Sequence, residues 1–208
     1  MRIICQQLGK RFNREWIFRK LDYEFNAGTS VALLGHNGSG KSTLLNVLSA
    51  HLSASEGSIH FERNGKAMAA DKVFSHLGFI APYIDLIEDF TLREHVDFHM
   101  QFKSLPEGIK ITDMIELMGL KTHQNKLVRN FSSGMQQRLK LVLALIPDNK
   151  LVLLDEPTTN LDEEGVSWYL NLVERFAANK LLIVASNTPR EYSFCTEQVQ
   201  IEDFKKKG

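Results

Sequence analysis

With 208 residues, 43% of them hydrophobic, and 25 basic side chains against 25 acidic ones, the chain can bury one large core and has no bulk charge. That balance excludes nucleic-acid binding by net attraction, and no apolar run approaches the roughly 18–20 residues that span a bilayer. The opening Met1-Arg2-Ile3-Ile4-Cys5 is too short and too mixed for a secretion signal, and Cys5 and Cys195, without metal-ligand spacing, read as buried reduced thiols in the cytoplasm.

Residues 2–27 read as an antiparallel ribbon, with strands at Ile3–Leu8 and Lys20–Phe25 and a turn at Asn26-Ala27-Gly28. The segment between the strands is loop-like and gathers Phe12, Trp16 and Phe18, which serve either as packing or as a platform for a purine base. Ser30–Leu34 is a short apolar run of the kind buried as a parallel strand, and Leu44, Leu45, Val47 and Leu48 recur at helical spacing. Between them, Gly35-His36-Asn37-Gly38-Ser39-Gly40-Lys41-Ser42-Thr43 matches the pattern G-x-x-x-x-G-K-[ST]. The glycines let successive N–H groups face one concavity, and the helix adds its N-terminal donors. Lys41 then reaches the β- and γ-phosphates and Ser42 ligates Mg²⁺, so the stretch predicts a nucleoside triphosphate site.

Glu56–Glu62 follows as a turn and strand, and Asn64-Gly65 begins a polar connection to Val73–Ile80. From Thr91 to about Met118 the pattern is helical, with a capping box from Thr91 to Glu94, a break at Leu105–Gly108, and Pro106 placed for the first turn of a second helix. These helices stand apart from the strand–helix alternation, which predicts a small helical subdomain, about residues 82–147, inserted in a single domain 1–208. Asn130–Gly134 leads into an amphipathic helix ending near Pro147. Lys150–Pro157 is an apolar strand that ends in two carboxylates, with Asp155 placed for the Mg²⁺ shell and Glu156 for deprotonating water. A helix at 162–178, a strand at 180–185, a strand-like Glu197–Glu202 and a solvated Lys205-Lys206-Lys207 tail complete the reading. The alternation makes this an α/β protein with a largely parallel sheet.

The segment Phe131-Ser132-Ser133-Gly134-Met135-Gln136-Gln137-Arg138 resembles the L-S-G-G-Q-x-x-R signature of the ATP-binding cassette family. Asp155-Glu156-Pro157-Thr158-Thr159-Asn160-Leu161-Asp162 resembles that family's Asp-Glu-Pro followed by S-x-L-D, and the motifs come in the family's order along the whole chain. The resemblance implies a P-loop NTPase core with a mixed, largely parallel sheet, an N-terminal antiparallel ribbon and an inserted helical part. It also implies a head-to-tail homodimer with two ATP molecules at its interface, each between the phosphate loop of one copy and Ser132, Ser133, Gly134, Met135 and Gln136 of the other. Ser132 and Ser133 begin a helix, so their hydroxyls and the Gly134 N–H form a second anion-binding end. By the same resemblance Phe12, with Trp16 as competitor, stacks on adenine, and Asp162 links the two sites.

Two positions depart from the family pattern. Pro82 falls where a glutamine contacts Mg²⁺ and water, and Asn187 where a switch histidine holds the γ-phosphate region, so slow turnover is expected while binding is retained. What the resemblance implies for function is the ATP-hydrolysing subunit of a transporter, peripheral at the inner face of the cell membrane and serving a separate integral permease. The short chain is similar to exporter-type subunits, including haem-exporter ATPases. The alternatives are a soluble ATP-dependent dimerisation switch and a DNA-repair or chromosome ATPase; the last conflicts with the neutral charge and the lack of a long coiled coil.

Overall fold

The computed structural model describes residues 1–205, so Lys206 and Lys207 of the expected tail lie outside the described residues. Nine strands and five α-helices follow one another in the described chain. Four strands, β1 (Arg2–Phe12), β2 (Glu15–Phe25), β4 (Glu56–Arg63) and β5 (Lys66–Met68), form an antiparallel sheet in the order β2-β1-β4-β5. The other five, β3 (Ser30–Leu34), β6 (Leu77–Ile80), β7 (Leu151–Asp155), β8 (Leu181–Ala185) and β9 (Glu197–Gln200), form a parallel sheet in the order β6-β7-β8-β3-β9. The helices are α1 (Lys41–Leu48), α2 (Leu92–His99), α3 (Ile111–Leu117), α4 (Ser133–Leu145) and α5 (Glu163–Phe176).

The strands β3, β6, β7 and β8 are largely apolar because both faces are covered, whereas the edge strand β9 buries only Val199. Successive side chains point to opposite faces, and this parity divides the core in two. Leu151, Leu153, Leu181 and Ile183 pack with Leu44, Leu45 and Leu48 of α1 and with Ile3, Leu8, Leu21 and Phe25 of the antiparallel sheet. Val152, Leu154, Leu182 and Val184 face the other way, onto Leu139 and Val142 of α4, Tyr169 and Leu172 of α5, and Leu92, Val96, Met114 and Ile115 of α2 and α3. Each such fully buried leucine contributes about 1.5–3 kcal/mol.

Four local expectations change. The ribbon strands are longer than the sequence suggests: the segment around Phe12 and Trp16 belongs to β1 and β2, joined at Asn13-Arg14 with Asn13 at φ 53°. Aromatic and β-branched residues hold the strands together there despite the charged residues between them. Residues 70–76 are a 3₁₀ turn, so the strand is confined to Leu77–Ile80, and β5 is an added short edge strand. Pro106 stands in a turn, its carbonyl accepting from Ile109 N–H at 3.2 Å, and α3 begins only at Ile111 after Lys110. Beyond Gln200 the last strand gives way to a 3₁₀ turn at Ile201–Phe204. The capping box at the start of α2 is present, with Thr91 N–H donating to Glu94 Oε2 at 2.8 Å and Glu94 N–H to Thr91 Oγ1 at 3.2 Å.

Cys5 is buried and Cys195 half-buried, both as free thiols, and burial pushes each up to about 12, which keeps them protonated and unreactive. No helix among the described residues is long and apolar enough to cross a membrane.

Candidate functional site

Because β3, β6, β7 and β8 are parallel, their carboxyl ends share one edge of the sheet, the edge where open α/β sheets hold ligands. The loop after β3 curls through Gly35 at φ 146° and Gly40 at φ 109°, conformations that favour glycine. A Cβ on Gly35 would sit 2.7 Å from Ser39 Oγ, and one on Gly40 would collide with Ile17 of β2. The loop is also braced from the far end of the chain, where Glu202 Oε1 accepts from His36 N–H at 2.8 Å. That bond, foremost, holds the Glu202 carboxyl below its usual range.

Lys41 is 95% buried, 5% of its surface remaining exposed, and among the described residues it forms no ion pair. Its Nζ donates to Gly35 O at 2.7 Å, His36 O at 3.3 Å and Asn187 Oδ1 at 3.2 Å. An ammonium held only by neutral acceptors is prepared for an anion. Beside it the buried Ser39 hydroxyl has no hydrogen-bond partner among the described residues. Lys41, Asn37, Gly38, Ser39, Gly40, Ser42 and Thr43 line a cleft of about 220 Å³ whose other walls are Ile17, Asp155 and Glu156. The structure thus gathers the phosphate-loop residues and the carboxylate pair, which are more than a hundred residues apart in sequence.

Asp155 ends β7 almost fully buried, and burial raises its carboxyl above the usual range. The nearby Ser42 hydroxyl pulls it back, Glu156 pushes up, Lys41 pulls down and Glu191 pushes up. Glu156 turns out of the strand at φ 48° with its N–H on Ala185 O at 2.9 Å, leaving its side chain exposed at the cleft. No group of three His, Cys, Asp or Glu suited to a metal occurs among the described residues. The Asp155–Ser42 pair fits Mg²⁺, which takes few protein ligands and completes its shell with phosphate and water.

A second recess, of about 580 Å³, lies at the start of α4 and shares no lining residue with the first. Ser132, Ser133, Gly134 and Met135 form one wall and Asn160, Leu161 and Asp162 another. Ser132 caps the helix, its Oγ accepting from Met135 N–H at 3.3 Å, and Asp162 caps α5, its Oδ1 accepting from Gly165 N–H at 2.8 Å. A Cβ on Gly134 would come within 3.2 Å of Asn160 O, so that loop lies close over the helix start. Gln136 does not line the recess.

Of the early aromatics, Phe18 is fully buried core. Trp16 lies against Gly9, with the Arg11 and Arg19 guanidinium groups 5.5 and 4.5 Å from its ring centroid. Phe12 is 48% exposed at the tip of the ribbon, with Lys10 Nζ 5.1 Å from its ring centroid.

At the two departures from the family pattern, Pro82 is exposed, and so is its neighbour Tyr83. The Tyr83 hydroxyl accepts from Asn46 Nδ2 at 2.6 Å, and the same amide donates to Ser42 O at 2.8 Å. Burial, with the charge of Asp155, raises the phenol pKa, so it stays protonated. Asn187 is bound at both ends of its amide: Oδ1 accepts from Lys41, and Nδ2 donates to Asn37 Oδ1 at 2.6 Å.

The family profile described as ABC transporter matches residues 18–159. This chain belongs to the ABC transporter family. Among curated relatives, this ABC chain is 26% identical over 210 residues to the bacitracin export ATP-binding protein BceA of Halalkalibacterium halodurans, covering 96% of the chain and 83% of the relative. It is 29% identical over 204 residues to the human phospholipid-transporting ATPase ABCA7, covering 96% of the chain but 10% of that protein. A dimeric ATP-binding cassette solved in a post-hydrolysis state with ADP and Pi superposes with a TM-score of 0.81 at 20% identity, covering 96% of this chain and 94% of that one, a likeness of fold.

Sequence reasoning missed two contacts in this ABC fold. Ile17 forms a wall of the phosphate cleft, and only its alternation with Phe18 in β2 hints at that. Gln137, buried, donates from Nε2 to Pro157 O at 2.6 Å, tying α4 to the turn after Glu156. The polar stretch Met135–Arg138 gives no signal that this glutamine faces inward.

Proposed function

We propose that this chain is the ATP-binding subunit of an ABC transporter, acting as a head-to-tail pair on the cytoplasmic face of a membrane that holds a separate permease. The observation that carries the reading is the separation of the two recesses. One chain holds a phosphate cleft with a buried lysine bonded to neutral acceptors, and a second helix-start recess elsewhere on its surface. A second copy, reversed, sets the two against one nucleotide.

In this reading the N–H groups of residues 35–43 and Lys41 cradle the β- and γ-phosphates. Ser42 and Asp155 hold Mg²⁺, which when bound neutralises charge on the phosphate oxygens. Glu156, exposed at the cleft, takes the proton of the attacking water. Asn187 faces the γ-phosphate end through its contact with Lys41. Phe12 offers its exposed face to adenine. Ser132, Ser133, Gly134 and Met135, with Asp162, close the site from the other copy; Gln136 sits outside the recess lining and contributes through the helix alone.

Gly134→Asp places a carboxylate in that second recess and tests the arrangement. ATP binding by the monomer should stay within about twofold, while ATP-dependent dimerisation, followed by sedimentation, should be lost. A variant that dimerises normally, or one that no longer binds ATP as a monomer, overturns the head-to-tail reading.

The permease contact is assigned to residues 82–90 and the helices up to about 147. Ile84, Leu86, Phe79, His95 and Leu143 surround an apolar recess of about 170 Å³ beside the carboxyl end of β6. In the same 82–90 segment Ile87 is 39% exposed and Tyr83 53% exposed. Ile87→Asp should leave ATP affinity and thermal stability unchanged and reduce co-purification of the permease severalfold. A loss of folding would place Ile87 in the core instead.

A further inference from the structure

Glu191 is a carboxylate with 4% of its surface exposed, in a 3₁₀ turn beyond β8. Among the described residues it forms no ion pair. A charge so placed is expensive to hold unless fixed donors surround it. Three do. Oε1 accepts from Thr158 N–H at 3.0 Å and from the Thr158 hydroxyl, and Oε2 accepts from the Ser186 hydroxyl.

The donors come from two different loops. Thr158 stands two residues after Glu156, on the turn leaving β7, and Ser186 immediately precedes Asn187, on the turn leaving β8. The Ser186 oxygen also accepts from Thr188 N–H at 2.8 Å, so the second turn is folded around the same point. Glu191 is itself anchored: its N–H donates to Thr188 O at 2.9 Å, and its carbonyl accepts from the hydroxyl of fully buried Tyr169 on α5 at 3.0 Å.

We infer that Glu191 is a positioning residue for hydrolysis, a clamp that fixes the Glu156 turn against the Asn187 turn. Both turns leave the sheet edge in irregular conformations, and beyond the Glu156 N–H bond to Ala185 O no ladder bond among the described residues holds them together. Two hydroxyls and one N–H on a single carboxylate supply that link. A displacement of about 1 Å at reacting groups lowers rate by as much as 10²-fold, so the clamp bears on turnover rather than on binding. The inference rests on the hydrolytic reading above.

The test compares Glu191→Ala with Glu191→Gln. The glutamine keeps the shape, its Oε1 still accepting from Thr158 and its amide donating to the Ser186 oxygen, which has a lone pair to spare. Glu191→Ala should lose roughly ten- to hundredfold in kcat with KM for ATP within about twofold, and Glu191→Gln should recover most of it. Amide exchange at residues 156, 158–160 and 186–188 should accelerate together in the alanine variant and not in the glutamine one. If Glu191→Ala does not fold, Thr158→Val cuts one arm and should show the same kcat loss. Turnover and exchange unchanged in these variants overturn the clamp alone. An equal loss in both Glu191 variants also overturns it, since charge rather than hydrogen bonding would be responsible. No turnover in the unmodified protein removes the hydrolytic reading and the clamp's role with it.

Discussion

Glu156→Gln should abolish most ATP turnover, by about 10²–10⁴-fold, while leaving ATP affinity intact. The substitution keeps the size and the exposed position of the side chain at the end of β7. It removes the only feature that separates Glu156 from a bystander, its ability to accept a proton. The phosphate loop does not depend on it, since Lys41 is held by Gly35, His36 and Asn187. With hydrolysis blocked, an ATP-bound pair should accumulate and dissociate slowly, visible by size-exclusion chromatography with ATP and Mg²⁺. Unchanged hydrolysis would remove Glu156 from the chemistry, and the absence of an ATP-dependent pair would count against the composite site.

Much of this site was legible because its residues are consecutive. Gly35–Thr43 and Lys150–Pro157 each combine a buried strand with the loop that leaves it, and a parallel sheet puts all such loops on one edge. The core was legible for a related reason: period-two parity in Leu151–Leu154 and Leu181–Val184 assigns each residue to one of the two layers. The ribbon was misread where charged residues hid the strand period, and there Trp16 proved to have Arg11 and Arg19 over its ring. Hidden altogether were contacts made by lone polar side chains. Gln137, Glu191 and Asn46 look like surface residues in the sequence, since each bonds a group 20, 33 or 37 positions away respectively. Burial of such groups is a tertiary outcome, and no periodicity announces it.

Asn187 presents the sharpest expectation, because both functions of its amide are already engaged. Oδ1 accepts from Lys41 at 3.2 Å and Nδ2 donates to Asn37 Oδ1 at 2.6 Å. The assignment of oxygen and nitrogen follows from the partners, since an ammonium can only donate. For Nδ2 to reach a γ-phosphate it must leave Asn37, so this donor is less prepared than a histidine with a longer reach. A well-placed donor to developing charge contributes about 2.7–4 kcal/mol, on the order of 10²–10³-fold in rate. A donor that must first break another bond should contribute less, so Asn187→Ala should lower kcat by roughly tenfold to a hundredfold. ATP affinity should not weaken, because the variant also frees Lys41 from one competing acceptor. Asn187→His should raise turnover above that of the unmodified protein, in which hydrolysis is expected to be slow but measurable. If Asn187→Ala hydrolyses ATP as fast as the unmodified protein, residue 187 has no part in the chemistry. The Tyr83 hydroxyl, joined through Asn46 to Ser42, would then be the next group to test, and the γ-phosphate contact should be sought there.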